Sequence, residues 1–113
     1  MADQPIIHLR DMLESLTRFD GQRLRVSGLF MRFHENTCLD ATPSDDEQIA
    51  EESIHKNWRI WLDCDGRTKW IGFQPTLGQY LPVIADGLYR HGNCGHCGIY
   101  PGKLTEITSI STR

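Results

Sequence analysis

Residues 22–33, QRLRVSGLFMRF, constrain the fold more than any other stretch of this chain. Leu24, Val26 and Phe30 fall on one side of a period-two pattern, and Arg23, Arg25 and Ser27 fall on the other. That alternation is the signature of a β-strand with one buried face. Gly28 stands in the middle of the run. A missing side chain inside a strand marks a bulge or a sharp bend, so this strand is expected to leave a single plane.

Four further strands follow from the same reasoning. Glu35-Asn36 turns the chain into a short strand near Thr37 to Ala41. Lys56 to Asp63 places Trp58, Ile60 and Leu62 on one face and Arg59, Trp61 and Asp63 on the other. Gln79 to Tyr89 is the fourth strand, and Pro82 argues for an edge position or a bulge within it. Lys103 to Ser111, rich in β-branched residues, is the fifth. Residues 65–78 contain Pro75 and several glycines with no clean period, and read as a connection with one helical turn.

Ahead of the strands, Ile7 to Phe19 predicts an amphipathic helix. Leu9, Met12, Leu13 and Leu16 recur at three- and four-residue spacing, and Asp20-Gly21 stops it. A weak internal echo links Gly21-Gln22-Arg23-Leu24-Arg25-Val26 to Gly78-Gln79-Tyr80-Leu81-Pro82-Val83. It suggests two strands in equivalent roles, each entered by a glycine turn and each bent midway, at Gly28 and Gly87. Coiling a sheet into a barrel needs such corners. The expected architecture is mainly β: one domain over residues 1–113, a small five-stranded OB-like β-barrel with an N-terminal α-helix.

Length and composition agree with a single core. A chain of 113 residues, 39% apolar and 24% charged, is ordinary for one globular domain. No apolar run approaches the roughly 20 residues that span a bilayer. The start MADQPIIHLR has no basic segment followed by an apolar one, so a cytoplasmic protein is expected. In that compartment thiols stay reduced, and Cys38, Cys64, Cys94 and Cys97 are not expected to form a disulfide framework.

Charge is unevenly spread. Asp40, Asp45, Asp46, Glu47, Glu51 and Glu52 lie in one stretch with no base among them, while the rest of the chain holds twelve bases and nine acids. Residues 43–57 therefore read as an acidic insert, a loop or a weakly anchored helix. Such a segment attracts a basic protein and repels phosphate.

The run Leu16 to Phe30 resembles the first strand of OB-fold domains, with its turn glycine, alternating apolar residues and mid-strand glycine. More specifically, DGQRLRVSG, then KNWRIWLD, then GHCGIYPGKLTEITSI resembles a group of small bacterial OB-like proteins ending in GHxGxYxGxLxxI. In this chain that ending runs from Gly95 to Leu104 and on to Ile107. The likeness implies the barrel and does not supply a function, because OB barrels host unrelated activities.

Candidate sites divide into three sets. Cys94-Gly95-His96-Cys97 spells a dithiol motif, but catalytic CxxC pairs sit at a helix N-terminus, and Gly98, Pro101 and Gly102 argue against a helix here. Zinc needs four ligands, which His91, Cys94, Cys97 and Cys64 could supply, although the last lies far from the others in sequence. The remaining explanation is a glycine-rich turn with cysteines as small apolar fillers, and no cofactor is expected. No GxSxG, HExxH or Walker loop is present, so an enzyme is not expected. For single-stranded nucleic acid, Arg23, Arg25, Arg32 and Arg59 with Trp61 could form a basic groove with a stacking platform, against a pI of about 5.9. For a protein partner, Trp61 and Trp70 are candidate anchors beside the acids Asp45, Asp46, Glu47, Glu51 and Glu52. The leading expectation is a non-enzymatic protein-binding module, of the kind an immunity protein presents to a basic toxin. The alternatives are an OB-type single-strand binder and a small structural zinc protein.

Overall fold

The computed structural model describes residues 5–33, 36–41, 59–94 and 100–113. In chain order the elements are β1 (Ile6–His8), α1 (Leu9–Met12), a 3₁₀ segment (Leu13–Phe19), β2 (Arg23–Phe33), β3 (Asn36–Asp40), β4 (Arg59–Leu62), β5 (Lys69–Ile71), β6 (Gln79–Cys94) and β7 (Tyr100–Thr112).

Pairing closes a ring. β2 runs antiparallel to β3 on one side and to β6 on the other. β3 pairs antiparallel with β4, and β6 with β7. The parallel contact of β4 with β7, Trp61 opposite Lys103 and Leu62 opposite Leu104, completes the circuit β2-β3-β4-β7-β6. The protein is a mainly β, closed five-stranded OB-like barrel with a short N-terminal helix. Alternate residues fill it: Val26, Phe30, Leu39, Ile60, Val83 and Leu104 are fully buried in one cluster.

Gly28 is the corner that the sequence requires. Residues Arg25 to Ser27 of β2 pair with β1, and Leu29 to Phe33 pair with β3, so the strand changes neighbour at Gly28. A Cβ there would lie 2.8 Å from Leu39 Cγ and 2.9 Å from the Asp40 carbonyl oxygen. Only a residue without a side chain lets β3 approach this closely. The second corner is a bulge in β7. The register of β6 with β7 jumps from Asp86–Ser109 to Leu88–Thr105, leaving two extra residues on β7 opposite Gly87. The internal echo also has a structural basis, since Gly21 and Gly78 both turn the chain with left-handed φ (80° and 77°) just before β2 and β6.

Several expectations need correcting. The helix expected over Ile7 to Phe19 is broken into three pieces. Ile6–His8 is captured as a strand beside β2, the His8 ring caps the four-residue α1 by accepting from Arg10 N (3.1 Å), and Ser15 leaves helical geometry (φ −148°, ψ 45°). Short helices are marginal on their own, so packing decides their shape. Leu9 and Met12 are fully buried, and Leu13, Leu16 and Phe19 lean on the same core. Residues 65–78 hold no helical turn; they contain β5, which extends the β7 edge where β4 has ended. β6 is not an edge strand. Pro82 is accommodated near its start, one residue before its ladder with β7 begins at Val83. No helix among the described residues is long and apolar enough to cross a membrane.

Candidate functional site

The wall of a small barrel is apolar inside and polar outside. One stretch of this wall breaks the second half of that rule. Strand register aligns Tyr80 of β6 with Met31 of β2, Met31 with Cys38 of β3, Cys38 with Trp61 of β4, and Trp61 with Lys103 of β7. Each residue has core-facing neighbours, Leu81, Phe30, Leu39 and Ile60 among them, so the row lies on the outer face. Four adjoining strands thus carry an apolar line across the outside of the barrel, ending at a lysine.

Tyr100, at the start of β7, covers the middle of the line. It forms a separate buried cluster with Met31 and Cys38, against which Leu29 and Trp61 pack. Its ring lies 5.3 Å from that of Trp61, tilted by 59°. The Tyr100 hydroxyl donates to Asn36 Oδ1 at 3.2 Å and also contacts the Cys38 thiol. Met31 and Cys38 are therefore sealed, and Tyr80 at the far end is 56% exposed. Leu77, just before β6, is 70% exposed, and Ile71, at the end of β5, is 51% exposed.

The row is flanked by a buried ion pair. Leu29, Asp40 and Arg59 form the adjacent outer line, and Arg59 Nε donates to Asp40 Oδ2 at 2.6 Å. Asp40 is 0% exposed and Arg59 9%. Arg59, a candidate for a basic groove, instead has a buried partner, because its register places it opposite Asp40.

Burial also governs the thiols of Cys38 and Cys64. Desolvation pushes Cys38 up from 9.0 to about 11, and it pushes Cys64 up from 9.0 to about 12, with Asp63 adding to the rise. Both remain protonated thiols near neutral pH and are poor nucleophiles. A folded-state pKa above the unfolded value means stability that is complete below pH 9 and falls as pH rises through those values. Urea midpoints are expected to decline between about pH 9 and about pH 11, and Cys38→Ala is expected to flatten part of that slope. A profile unchanged by this substitution would show that the thiol is not what titrates.

The candidate residues are distributed as follows. Trp61 sits on the outer row. Trp70 packs edge-on against Phe30 (5.7 Å) and Phe73 (5.6 Å), plugging the barrel near the end of β2 while remaining partly exposed. Asp45, Asp46, Glu47, Glu51, Glu52 and Cys97 lie outside the described residues. The four arginines are not brought together. Arg59 is held by Asp40, and Arg23 pairs with Asp86 at 3.1 Å. Arg25 is half-buried on the outer face, and Arg32 projects to the opposite face of β2, where its charge acts on Cys64. Of the zinc candidates, His91 contacts the Tyr89 hydroxyl through Nδ1 at 3.2 Å, Cys94 is paired opposite Tyr100 in the β6–β7 hairpin, and Cys64 packs against the barrel core. Among the described residues no group of three or more His, Cys, Asp or Glu is placed to hold a metal ion.

Sequence reasoning did not find Tyr80, Met31, Cys38 or Tyr100. Each is unremarkable within its own strand, and only the pairing register aligns them. Compared with protein-family models, with curated proteins and with solved structures, the chain matches none.

Proposed function

We propose that this protein is a non-enzymatic protein-binding module and that its contact face is the outer row from Tyr80 to Trp61. The observation that supports this reading is the apolar line across four adjoining strands, sealed at its centre by Tyr100 and exposed at Tyr80. Exposed aromatic residues beside a rigid, well-packed centre are typical anchors of protein interfaces. The acidic stretch between β3 and β4 gives the partner its chemistry: a protein with a basic face, as a toxin presents to its immunity protein.

The test compares capture of partner by the wild type and by Tyr80→Ala. Because Tyr80 is more than half exposed, this change leaves the core untouched. Loss of an anchor of this kind weakens binding at least about tenfold, and raising salt weakens it further. Equal capture by both proteins, insensitive to salt, would sink the reading.

A second reading, an OB-type single-strand binder, draws on one observation. Trp61 lies on β4 beside β3, the second and third strands of the barrel circuit, and that face of an OB barrel carries oligonucleotides. Quenching of tryptophan fluorescence by oligonucleotides, lost in Arg25→Ala, would favour it over the first.

A further inference from the structure

The bulge in β7 does more than turn a barrel corner. It opens a cleft of about 210 Å³ lined by Arg23, Asp65, Arg67, Glu106, Ile107 and Thr108. Three observations set it apart from the rest of the surface.

Glu106 sits in the left-handed region (φ 48°) and is the one non-glycine residue to do so among the described residues. Such a conformation is costly for a side-chain-bearing residue and is held only where its surroundings enforce it. Here they do: Thr68 Oγ1 donates to the Ile107 carbonyl at 3.0 Å, and Arg23 Nη2 donates to the Glu106 carbonyl at 3.2 Å. Bulges re-aim side chains, and this one brings Glu106 to the wall of the cleft.

Arg23 is only partly committed. Its Nη2 carries two hydrogens, which go to the Glu106 carbonyl and to Thr108 Oγ1 (3.1 Å). Asp86 Oδ1 lies 3.1 Å from the same nitrogen but has no hydrogen bond, so that contact is an ion pair alone. A guanidinium has five N–H donors, and the other three of Arg23 make no hydrogen bond among the described residues.

The residues lining the cleft carry both signs, two bases and two acids, while Asp86 pairs with Arg23 from outside the lining. Arg23 and Arg67 supply the positive charge and Asp65 and Glu106 the negative, and Asp65 Oδ1 accepts from the Arg67 backbone N–H at 2.7 Å. Arg67 is 90% exposed and reaches Asp65 only at 3.4 Å, a contact that a better partner displaces readily. A phosphate would meet two carboxylates, and a cation would meet two guanidinium groups. A ligand bearing both signs meets a partner at each end. At about 30 Å³ per water, the volume holds about seven waters, which suits a ligand of amino-acid size and falls below a drug-sized pocket.

We propose that this cleft binds a small zwitterion of amino-acid or dipeptide size, its carboxylate held by Arg23 and Arg67 and its ammonium by Asp65 and Glu106. The site is independent of the outer row. The test is a titration of ¹⁵N-labelled protein with glycylglycine, alongside acetate, ethylammonium and inorganic phosphate. Saturable shifts at residues 66–68 and 106–108 are expected with the dipeptide, and at least about tenfold weaker effects with each single-charge probe and with phosphate. Arg67→Gln and Glu106→Gln are each expected to weaken dipeptide binding about tenfold while leaving distant resonances in place. Should Glu106→Gln disturb the bulge, the exposed Arg67→Gln decides the matter. Tyr80→Ala is expected to bind the dipeptide as the wild type does. Absence of saturation, equal binding of acetate or phosphate, or full binding by Arg67→Gln overturns the proposal.

Discussion

Replacing Arg59 with Met is expected to lower the free energy of unfolding by about 3–5 kcal/mol. The guanidinium lies 2.6 Å from Asp40 Oδ2, and Asp40 is 0% exposed. Removing it leaves a carboxylate in a site it cannot leave without opening the β3–β4 ladder. The size of the loss reflects the cost of keeping the carboxylate buried without its guanidinium rather than the net value of the pair, because both ions lost their hydration on folding. A double variant, Asp40→Leu with Arg59→Met, makes the distinction. It is expected to recover most of the loss, since an apolar pair joins the outer cluster of Leu29, Met31 and Trp61. Urea denaturation of the three variants checks this. A single-variant loss below roughly 1 kcal/mol would place the pair with ordinary surface bridges.

Phe30→Ala is the second large effect, expected at about 3–5 kcal/mol. Phe30 is fully buried and meets both Trp70 (5.7 Å, 77°) and Phe73 (5.4 Å, 66°) edge-on. Trp70 and Phe73 also meet each other, at 5.6 Å and 87°. Truncating the central ring removes two of the three contacts in this triad and leaves a cavity that the rigid wall cannot close. The loss should therefore be accompanied by a red-shifted tryptophan emission in the folded state, as Trp70 gains water. A large destabilisation with unchanged emission would mean that Trp70 is anchored by other residues.

The legible part of this fold was its alternation. Strand β2, its mid-strand glycine and the inward side of β4 follow from a period of two, because a strand buried on one face must alternate. The N-terminal segment misled for a physical reason. Leu9, Met12, Leu13 and Leu16 have helical spacing, but the same residues also serve a short helix followed by a 3₁₀ segment, and contact with the barrel chose between them. β5 was invisible because three residues among glycines and a proline carry no period of their own. The candidate site was the least legible feature. Tyr80, Met31, Cys38 and Trp61 are drawn from four strands, and no local pattern encodes which residue of one strand will face which of the next. The arginines illustrate the converse. Arg23, Arg25 and Arg32 look like one basic strand, yet an odd offset within β2 sends Arg32 to the opposite face.

The parallel contact of β4 with β7 has a consequence for how the chain is made. Leu62 cannot meet Leu104 until β7, the last strand of the barrel, has left the ribosome. Until then β2, β3 and β4 form an open meander whose last strand has a bare edge and whose apolar face has no opposite wall. Closure is thus a late, long-range event, and it sets a slow folding rate for a domain of this size. The nascent chain passes through a window in which its edge invites mispairing, and that window ends only when the final strand arrives.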